Sequence, residues 1–453
     1  MDRRAASTRA LLLVPVRPQA PARSRNGKAG AGQRPERSGD SRLQEAVGLA
    51  QAIALDVRQA LLVALVRPRP ATLLGVGKVE EIAALVREHA ADLVIIDHVV
   101  SPIQQRNLEK AWGAKVLDRT GLILEIFGER ALTREGRLQV ELAHLTYQRG
   151  RLVRSWTHLE RQRGGFGFLG GPGEAQIETD RRLIQERIDA IKKDLAGVMR
   201  TRGLHRAGRK RIPLPVAAIV GYTNAGKSTL FNRLTGASVL AMDQVFATLD
   251  PTMREVTLPS SRRIVLSDTV GFISDLPTNL IAAFRATLEE VVAADLILHV
   301  RDVSHPESEA QHHDVVAILA DLGIDADSDT AAILEVWNKA DKLPASLRAE
   351  ALRALARRNR TAVLVSALTG EGIEDLHAAL DGELGRHDEI FDLTIPVGEG
   401  RLLSWLHANA EVLEQRSEGS GAVLARIRIE PAAKGKLAGQ LKRAGLSGAL
   451  ARK

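Results

Sequence analysis

The octapeptide Gly221-Tyr222-Thr223-Asn224-Ala225-Gly226-Lys227-Ser228 constrains this chain more than any other feature. It follows the apolar run Val216–Val220 and precedes the helix-forming Thr229–Leu234. A G-x-x-x-x-G-K-S string therefore lies between a predicted strand and a predicted helix, the junction found in open parallel α/β sheets. Gly221 and Gly226 let the backbone curl so that its N–H groups face phosphate oxygens. The helix N-terminus adds partial positive charge. Lys227 brings a full charge to the β/γ-phosphates, and Ser228 offers a hydroxyl to Mg²⁺, which prefers octahedral oxygen ligands.

Three later motifs narrow the nucleotide. The predicted strand Arg263–Ser267 ends in Asp268-Thr269-Val270-Gly271. Asp268 reaches the Mg²⁺ shell through water, and the Gly271 N–H senses the γ-phosphate, where a side chain would crowd it. The strand Ile333–Trp337 ends in Asn338-Lys339-Ala340-Asp341. The Asp341 carboxylate accepts hydrogen bonds from guanine N1–H and N2–H₂, a donor pair that adenine lacks. Asn338 holds the loop, and the Lys339 stem covers the ring. After Val363–Val365 come Ser366-Ala367-Leu368, whose backbone N–H groups suit guanine O6. Each motif follows a strand, at the sheet edge where nucleotides bind. Guanosine triphosphate binding follows.

Between the phosphate loop and Asp268 lies Phe246-Ala247-Thr248-Leu249-Asp250-Pro251-Thr252. A switch needs a hydroxyl that completes the Mg²⁺ shell only when γ-phosphate is present, and both Thr248 and Thr252 qualify. Lys227 and Gly271 are the other groups assigned to the hydrolytic step. Many small GTPases place a glutamine after D-x-x-G to orient water. This chain has Phe272 there, which predicts slow intrinsic hydrolysis that a partner accelerates. Arg285, on the predicted helix after switch II, could act in cis, but the preferred reading is a surface or core-edge arginine.

Charge divides the chain. Residues 1–39 carry +7, 40–215 carry +8, 216–387 carry −9 and 388–453 carry +2. A basic front and an acidic nucleotide-binding core suggest a polyanion-facing part and a working part. The apolar fraction of 45% is globular. With no cysteine, disulfides, iron–sulfur clusters and a thiol nucleophile are excluded. No apolar run approaches membrane-spanning length, so a cytoplasmic location is expected.

The predicted architecture is a multidomain α/β chain. Residues 1–136 form a small parallel α/β domain: strand Ala10–Val16, a disordered basic loop within 17–39, helix Arg42–Ala54, strand Ala60–Val66, helix Lys78–Ala90, strand Asp92–Asp97, helix Pro102–Trp112, strand Lys115–Leu117 and helix Thr120–Ala131. Residues 137–211 form a basic antiparallel helical hairpin with a Gly-rich tip. One stripe is Leu138, Leu142, Leu145, Leu152, Trp156 and Leu159; the other is Ile177, Ile184, Ile188, Ile191, Leu195 and Val198. Arg200–Pro215 reads as a linker. Residues 216–387 are the P-loop GTPase domain, and 388–453 a small α+β domain with a strand at Ala422–Ile429. On the hairpin, Arg149, Arg151, Arg154, Arg161 and Arg163 interleave with Phe166 and Phe168, a pattern that suits RNA, since arginine pairs with phosphates and aromatics stack on bases. The alternative is a solvated helix face.

These strings also carry a family likeness. Gly75-Val76-Gly77-Lys78-Val79-Glu80-Glu81, Ser101-Pro102-Ile103-Gln104-Gln105-Arg106-Asn107-Leu108-Glu109, Asp118-Arg119-Thr120-Gly121, Gln139–Tyr147 and Gly170-Gly171-Pro172-Gly173-Glu174, with the phosphate loop, Phe246–Thr252 and Asp268–Phe272, resemble the HflX-type ribosome-associated GTPases from about residue 41 to 430. The resemblance implies an Mg²⁺-dependent GTPase that binds the large ribosomal subunit and its RNA. It implies splitting of stalled 70S ribosomes in the GTP state, with subunit-stimulated hydrolysis to GDP. It places the magnesium threonine at Thr248. A monomer is expected. A ribosome-assembly GTPase and a protein-binding signalling switch are the competing readings. An ATP-driven remodeller is a weaker one, because Gly75–Lys78 is too short for a phosphate loop.

Overall fold

The computed structural model describes residues 7–17, 37–162, 172–209, 214–237, 245, 246, 248, 249, 251–260, 262–274, 285–324, 332–357, 361–386, 388–417, 421–429, 431–446, 451 and 452. Of these, 153–162, 172–177, 199, 201–209, 285–287, 411, 431, 432, 451 and 452 are described by backbone alone. Most of the basic loop of 17–39 lies outside the described residues.

The first domain is built on four parallel strands, β1 (Arg9–Val16), β2 (Asp56–Ala64), β3 (Leu93–Ile96) and β4 (Lys115–Asp118), in the order β2-β1-β3-β4. Helices cover both faces, as a parallel sheet requires. On β1, Leu11 and Leu13 enter one core with Ile82 of α2 (Val76–Glu88) and Leu108 of α3 (Pro102–Trp112). Ala10, Leu12 and Val14 enter another, with Leu49 of α1 (Gly39–Ala52) and Phe127 of α4 (Arg119–Arg130). Chain ends are set locally. Ser101 and Gln104 form a capping box with Pro102 at the first turn, and Gly113 closes α3 in the left-handed region at φ 66°. Strand β2, at the sheet edge, starts four residues before the predicted apolar run and pairs with β1 from Asp56 onward.

Two long helices follow, α5 (Arg134–Gln162) and α6 (Pro172–Arg209). Ile188, Ile191 and Leu195 of α6 are buried as the stripe predicts. Helix α5 differs: among its described residues Gly136 and Ala143 are buried, and Val140 and Tyr147 pack on the first domain's core. The helix serves two neighbours, so one seam does not describe it. The reading of 200–209 as linker is corrected, since α6 runs to Arg209; its Arg, Leu and Ala residues favour helix, and proline first appears at 213. The glycine-rich tip, 163–171, lies outside the described residues.

The third unit is a six-stranded sheet in the order β10-β9-β8-β5-β7-β6. Its strands are β5 (Val216–Gly221), β6 (Thr252–Thr257), β7 (Arg263–Asp268), β8 (Leu296–Asp302), β9 (Ile333–Asn338) and β10 (Ala362–Leu364). Its helices are α7 (Lys227–Thr235), α8 (Arg285–Val292), α9 (Ser308–Asp321), α10 (Ala345–Ala356) and α11 (Ile373–Leu384). Only β6 runs antiparallel, against β7. Ala217 and Ile219 of β5 face the core under α7 and α11. Ala218 and Val220 face the other way, into a core that continues through Phe246, Val270 and Phe272 to α1 and α4 of the first domain. The last unit is an antiparallel sheet, β12-β13-β11-β14, made by β11 (Glu389–Ile395), β12 (Glu411–Ser417), β13 (Val423–Ile429) and β14 (Ala451–Arg452). Leu402 and Leu406 of α12 (Gly400–Asn409) and Leu437 and Leu441 of α13 (Pro431–Arg443) pack on it.

Candidate functional site

Four loops converge at the carboxyl ends of β5, β7, β9 and β10 around a cleft of about 280 Å³. Thr223, Asn224, Gly226, Lys227, Ser228, Phe246, Thr248, Thr269, Gly271, Asn338, Lys339, Asp341, Ala367 and Leu368 line it. Thr229 and Lys342 also line it and were not anticipated; each directly follows a motif, which is the signal that could have found them.

The phosphate end is tightly built. Gly226 sits at φ 89°, a conformation that favours glycine. Lys227 is buried and donates to the Tyr222 carbonyl at 2.9 Å. Burial lowers the Lys227 ammonium to about 8, against the pull of Asp268. A Cβ on Gly271 would lie 2.8 Å from Lys227 Nζ and 3.1 Å from Thr223 Cα, so a side chain there would crowd both.

Ser228, Thr248 and Asp268 meet beside this lysine. Ser228 Oγ lies 2.8 Å from Thr248 Oγ1 and donates to Asp268 Oδ2 at 2.8 Å, and Thr248 donates to the same oxygen at 2.9 Å. Asp268 Oδ1 is buried without a hydrogen-bond partner. Burial pushes the Asp268 carboxyl up, opposed by Lys227 and the two hydroxyls. Two hydroxyls and a carboxylate, one of whose oxygens has no partner, form a hard-oxygen set that fits Mg²⁺. Of the two candidate threonines, Thr248 is the one that meets Ser228; Thr252 pairs with Asp268 in the β6–β7 ladder.

At the base end, Asn338 is the brace. Its Nδ2 donates to Ala225 O at 2.8 Å and its Oδ1 accepts from Ala367 N at 2.9 Å, joining three loops. Asp341 Oδ1 accepts from Ser366 Oγ at 2.6 Å, which orients the carboxylate. Lys339, at φ 68°, pairs with Asp302 at 2.8 Å.

Several residues assigned to the nucleotide also have contacts within the protein. Leu249, Val270 and Ala340 are buried in packing. Gly221 abuts the Val300 carbonyl, where a side chain would collide. The Tyr222 ring turns away from the cleft, and its hydroxyl bonds to Glu45 of α1. That contact spans 177 positions and had no local signal. Phe272 is buried in the core shared with the first domain and does not line the cleft. Ala247 and Asp250 lie outside the described residues, as does the side chain of Arg285.

The RNA-contact candidates divide. Arg151 pairs with Asp118 at 2.9 Å and contacts Tyr147 and Gln105 within the protein. Arg149 donates to Gln185 of α6. Arg154, Arg161, Arg163, Phe166 and Phe168 are outside the described side chains. On α6, by contrast, Arg181, Arg182, Lys192, Lys193 and Arg200 are exposed.

The chain matches the families described as GTP-binding GTPase N-terminal over residues 40–128, GTP-binding GTPase Middle Region over 130–209, 50S ribosome-binding GTPase over 216–339 and HflX C-terminal domain over 351–445. The GTPase HflX of Magnetococcus marinus is 52% identical over 404 residues, covering 89% of this chain and 91% of its own. That of Escherichia coli is 44% identical over 395 residues, covering 85% and 89%. A GTP-binding protein from Sulfolobus solfataricus, solved with GDP, shares 22% identity at a TM-score of 0.44, over 84% of this chain and 99% of its own. With the motif loops gathered at one sheet edge and relatives matching nearly end to end, the chain belongs to the HflX family of GTP-hydrolysing enzymes.

Proposed function

We propose that this GTPase binds GTP with Mg²⁺ in the cleft, docks on the large ribosomal subunit through the basic helical pair, and splits stalled 70S ribosomes in the cytoplasm. Ser228 and Thr248 would hold the metal, with Asp268 behind them through water. Bound there, Mg²⁺ would neutralise phosphate charge. Lys227 would contact the β- and γ-phosphates, and the Gly271 N–H would face the γ-phosphate. Asp341 would read guanine, with Asn338 and Ser366 holding its loop.

The observation that carries the reading is the convergence of the Mg²⁺-type oxygens and the guanine-type carboxylate on one cleft, joined to a basic pair of helices. The match to a family described as 50S ribosome-binding GTPase supports the ribosome as partner. The burial of Phe272 supports dependence on that partner, because the side chain after D-x-x-G does not reach water in the cleft. Hydrolysis would relax the two switch loops and release the protein.

The test is sedimentation of 70S ribosomes with the protein and a slowly hydrolysed GTP analogue, beside single-turnover hydrolysis with each subunit. Dissociated subunits and faster hydrolysis with the large subunit are expected. Intact 70S particles and equal rates with and without the large subunit would refute ribosome splitting. Association with precursor particles alone would favour an assembly role.

A further inference from the structure

The carboxyl ends of β1 and β3 flank the point where the first sheet's strand order reverses. In open parallel sheets that crevice receives a ligand. Here Ser274, after Gly271, bonds to Arg119, which pairs with Asp97 just past the end of β3. Arg42 of α1 lies across the crevice, donating to Pro15 O at 3.2 Å and Asp97 O at 3.3 Å. Arg119 pairs with Asp97 and, at 2.6 Å, with Glu45.

From this base the contacts cross to the GTPase domain and close on Ser274. Its N–H donates to the Tyr222 hydroxyl at 2.9 Å. Its carbonyl accepts from Arg119 at 3.0 Å. Its hydroxyl accepts from Arg37 at 3.0 Å and lies 3.3 Å from Glu45 Oε1. Tyr222 donates its hydroxyl to the other Glu45 oxygen, and the Arg37 guanidinium covers the Tyr222 ring at 4.9 Å. Burial opposes charge on Glu45, but Arg119 and Arg37 outweigh it and hold the carboxyl below its ordinary range.

Tyr222 and Ser274 bracket the group that senses γ-phosphate. The Tyr222 carbonyl accepts from Lys227. Phe272 is bonded to the phosphate loop on both sides: Thr223 N donates to Phe272 O at 2.7 Å, and Phe272 N to Gly221 O at 3.0 Å. Gly271 immediately precedes this pair, so its N–H is aimed by a short segment anchored at Ser274. A donor already in place needs no ordering when the phosphate arrives. GDP offers that donor nothing.

We propose that Glu45 is a positioning residue of the GTPase site: through Tyr222 and Ser274 it holds the Gly271 N–H where γ-phosphate binds, so the N-terminal domain contributes to the preference for GTP over GDP. The inference rests on the reading that this cleft binds GTP.

The test uses the full chain as wild type, Tyr222→Phe and Glu45→Gln. Affinities for fluorescent GDP and for a slowly hydrolysed fluorescent GTP analogue are measured beside thermal melting with GDP. Tyr222→Phe removes one oxygen and keeps the ring under Arg37. Both variants are expected to bind the GTP analogue roughly three- to tenfold more weakly, the scale of a lost hydrogen bond, and to bind GDP within about twofold of wild type. An unchanged ratio of the two affinities, or equal weakening of both, would overturn the proposal, since a merely structural role moves both alike. If Glu45→Gln does not fold, Tyr222→Phe decides. Wild type that binds neither nucleotide would instead refute the reading of the cleft.

Discussion

On the proposed reading base preference rests on one carboxylate, so it is the most direct thing to change. Asp341 is oriented by Ser366 at 2.6 Å and presents acceptors into the cleft. Asp341→Asn would replace one acceptor with a donor. The amide would then clash with the guanine 2-amino group but match the 2-oxo group of xanthine. GTP affinity should fall about 100- to 1000-fold, and xanthosine triphosphate should bind better than GTP, as competition binding would show. Equal affinity for both bases would place base recognition elsewhere. A second residue-scale effect concerns acid stability. His312 of α9 stacks on His299 at 5.1 Å, with Arg301, Glu335, Glu309 and His313 around it. Burial, helped by Arg301, lowers its pKa below 6.5. The unfolded chain then binds more protons as pH falls through 6.5, so stability is lost on acidification below that value. His312→Gln should flatten the loss between about pH 6.5 and 5 in denaturant midpoints. A slope identical to wild type would exclude His312 as its source.

At the scale of elements, what sequence shows and what it hides separate by contact distance. The loops after β5, β7, β9 and β10 were legible because each motif is continuous and its strand is apolar. Helix α3 was legible to the residue, since Ser101, Pro102 and Gly113 mark its ends. The Tyr222 side-chain contact was hidden because its partner Glu45 lies 177 positions away, and nothing in a phosphate-loop string tells which way the second residue points. Helix α5 was half-legible: a heptad stripe was visible, but the face used against the first domain was not. Asp118 is the joint between those units. It caps α4 through Gly121 N at 2.8 Å and accepts from the Tyr147 hydroxyl at 2.6 Å and Arg151 at 2.9 Å. Asp118→Ala would remove the cap and leave the half-buried Arg151 without its anion. A loss of about 2–4 kcal/mol is expected in the first unfolding transition. Amide exchange should quicken along residues 140–152 and stay unchanged in β11 and β13. Uniform protection would show that Asp118 is not the joint.

At the scale of the whole molecule, charge and topology divide the labour. Residues 1–39 and 40–215 carry +7 and +8, while the GTPase segment 216–387 carries −9. An acidic body near RNA phosphates is repelled unless the basic part leads, so the front half should supply most of the attraction and orient the approach. Binding to RNA releases counterions, with a slope of log affinity against log salt of about −0.7 to −0.9 per neutralised phosphate. If about six phosphates are met, the slope for large-subunit binding should lie near −4 to −6. Lys192 and Lys193 are exposed on α6, away from the nucleotide cleft. Reversing both to glutamate should make the slope shallower by about two and weaken binding most at low salt, with GDP affinity unchanged. A titration series of subunit binding across potassium chloride concentrations measures this directly. If the double variant keeps the wild-type slope, α6 is not the face that meets RNA, and Arg149 and Arg151, already engaged within the protein, do not replace it.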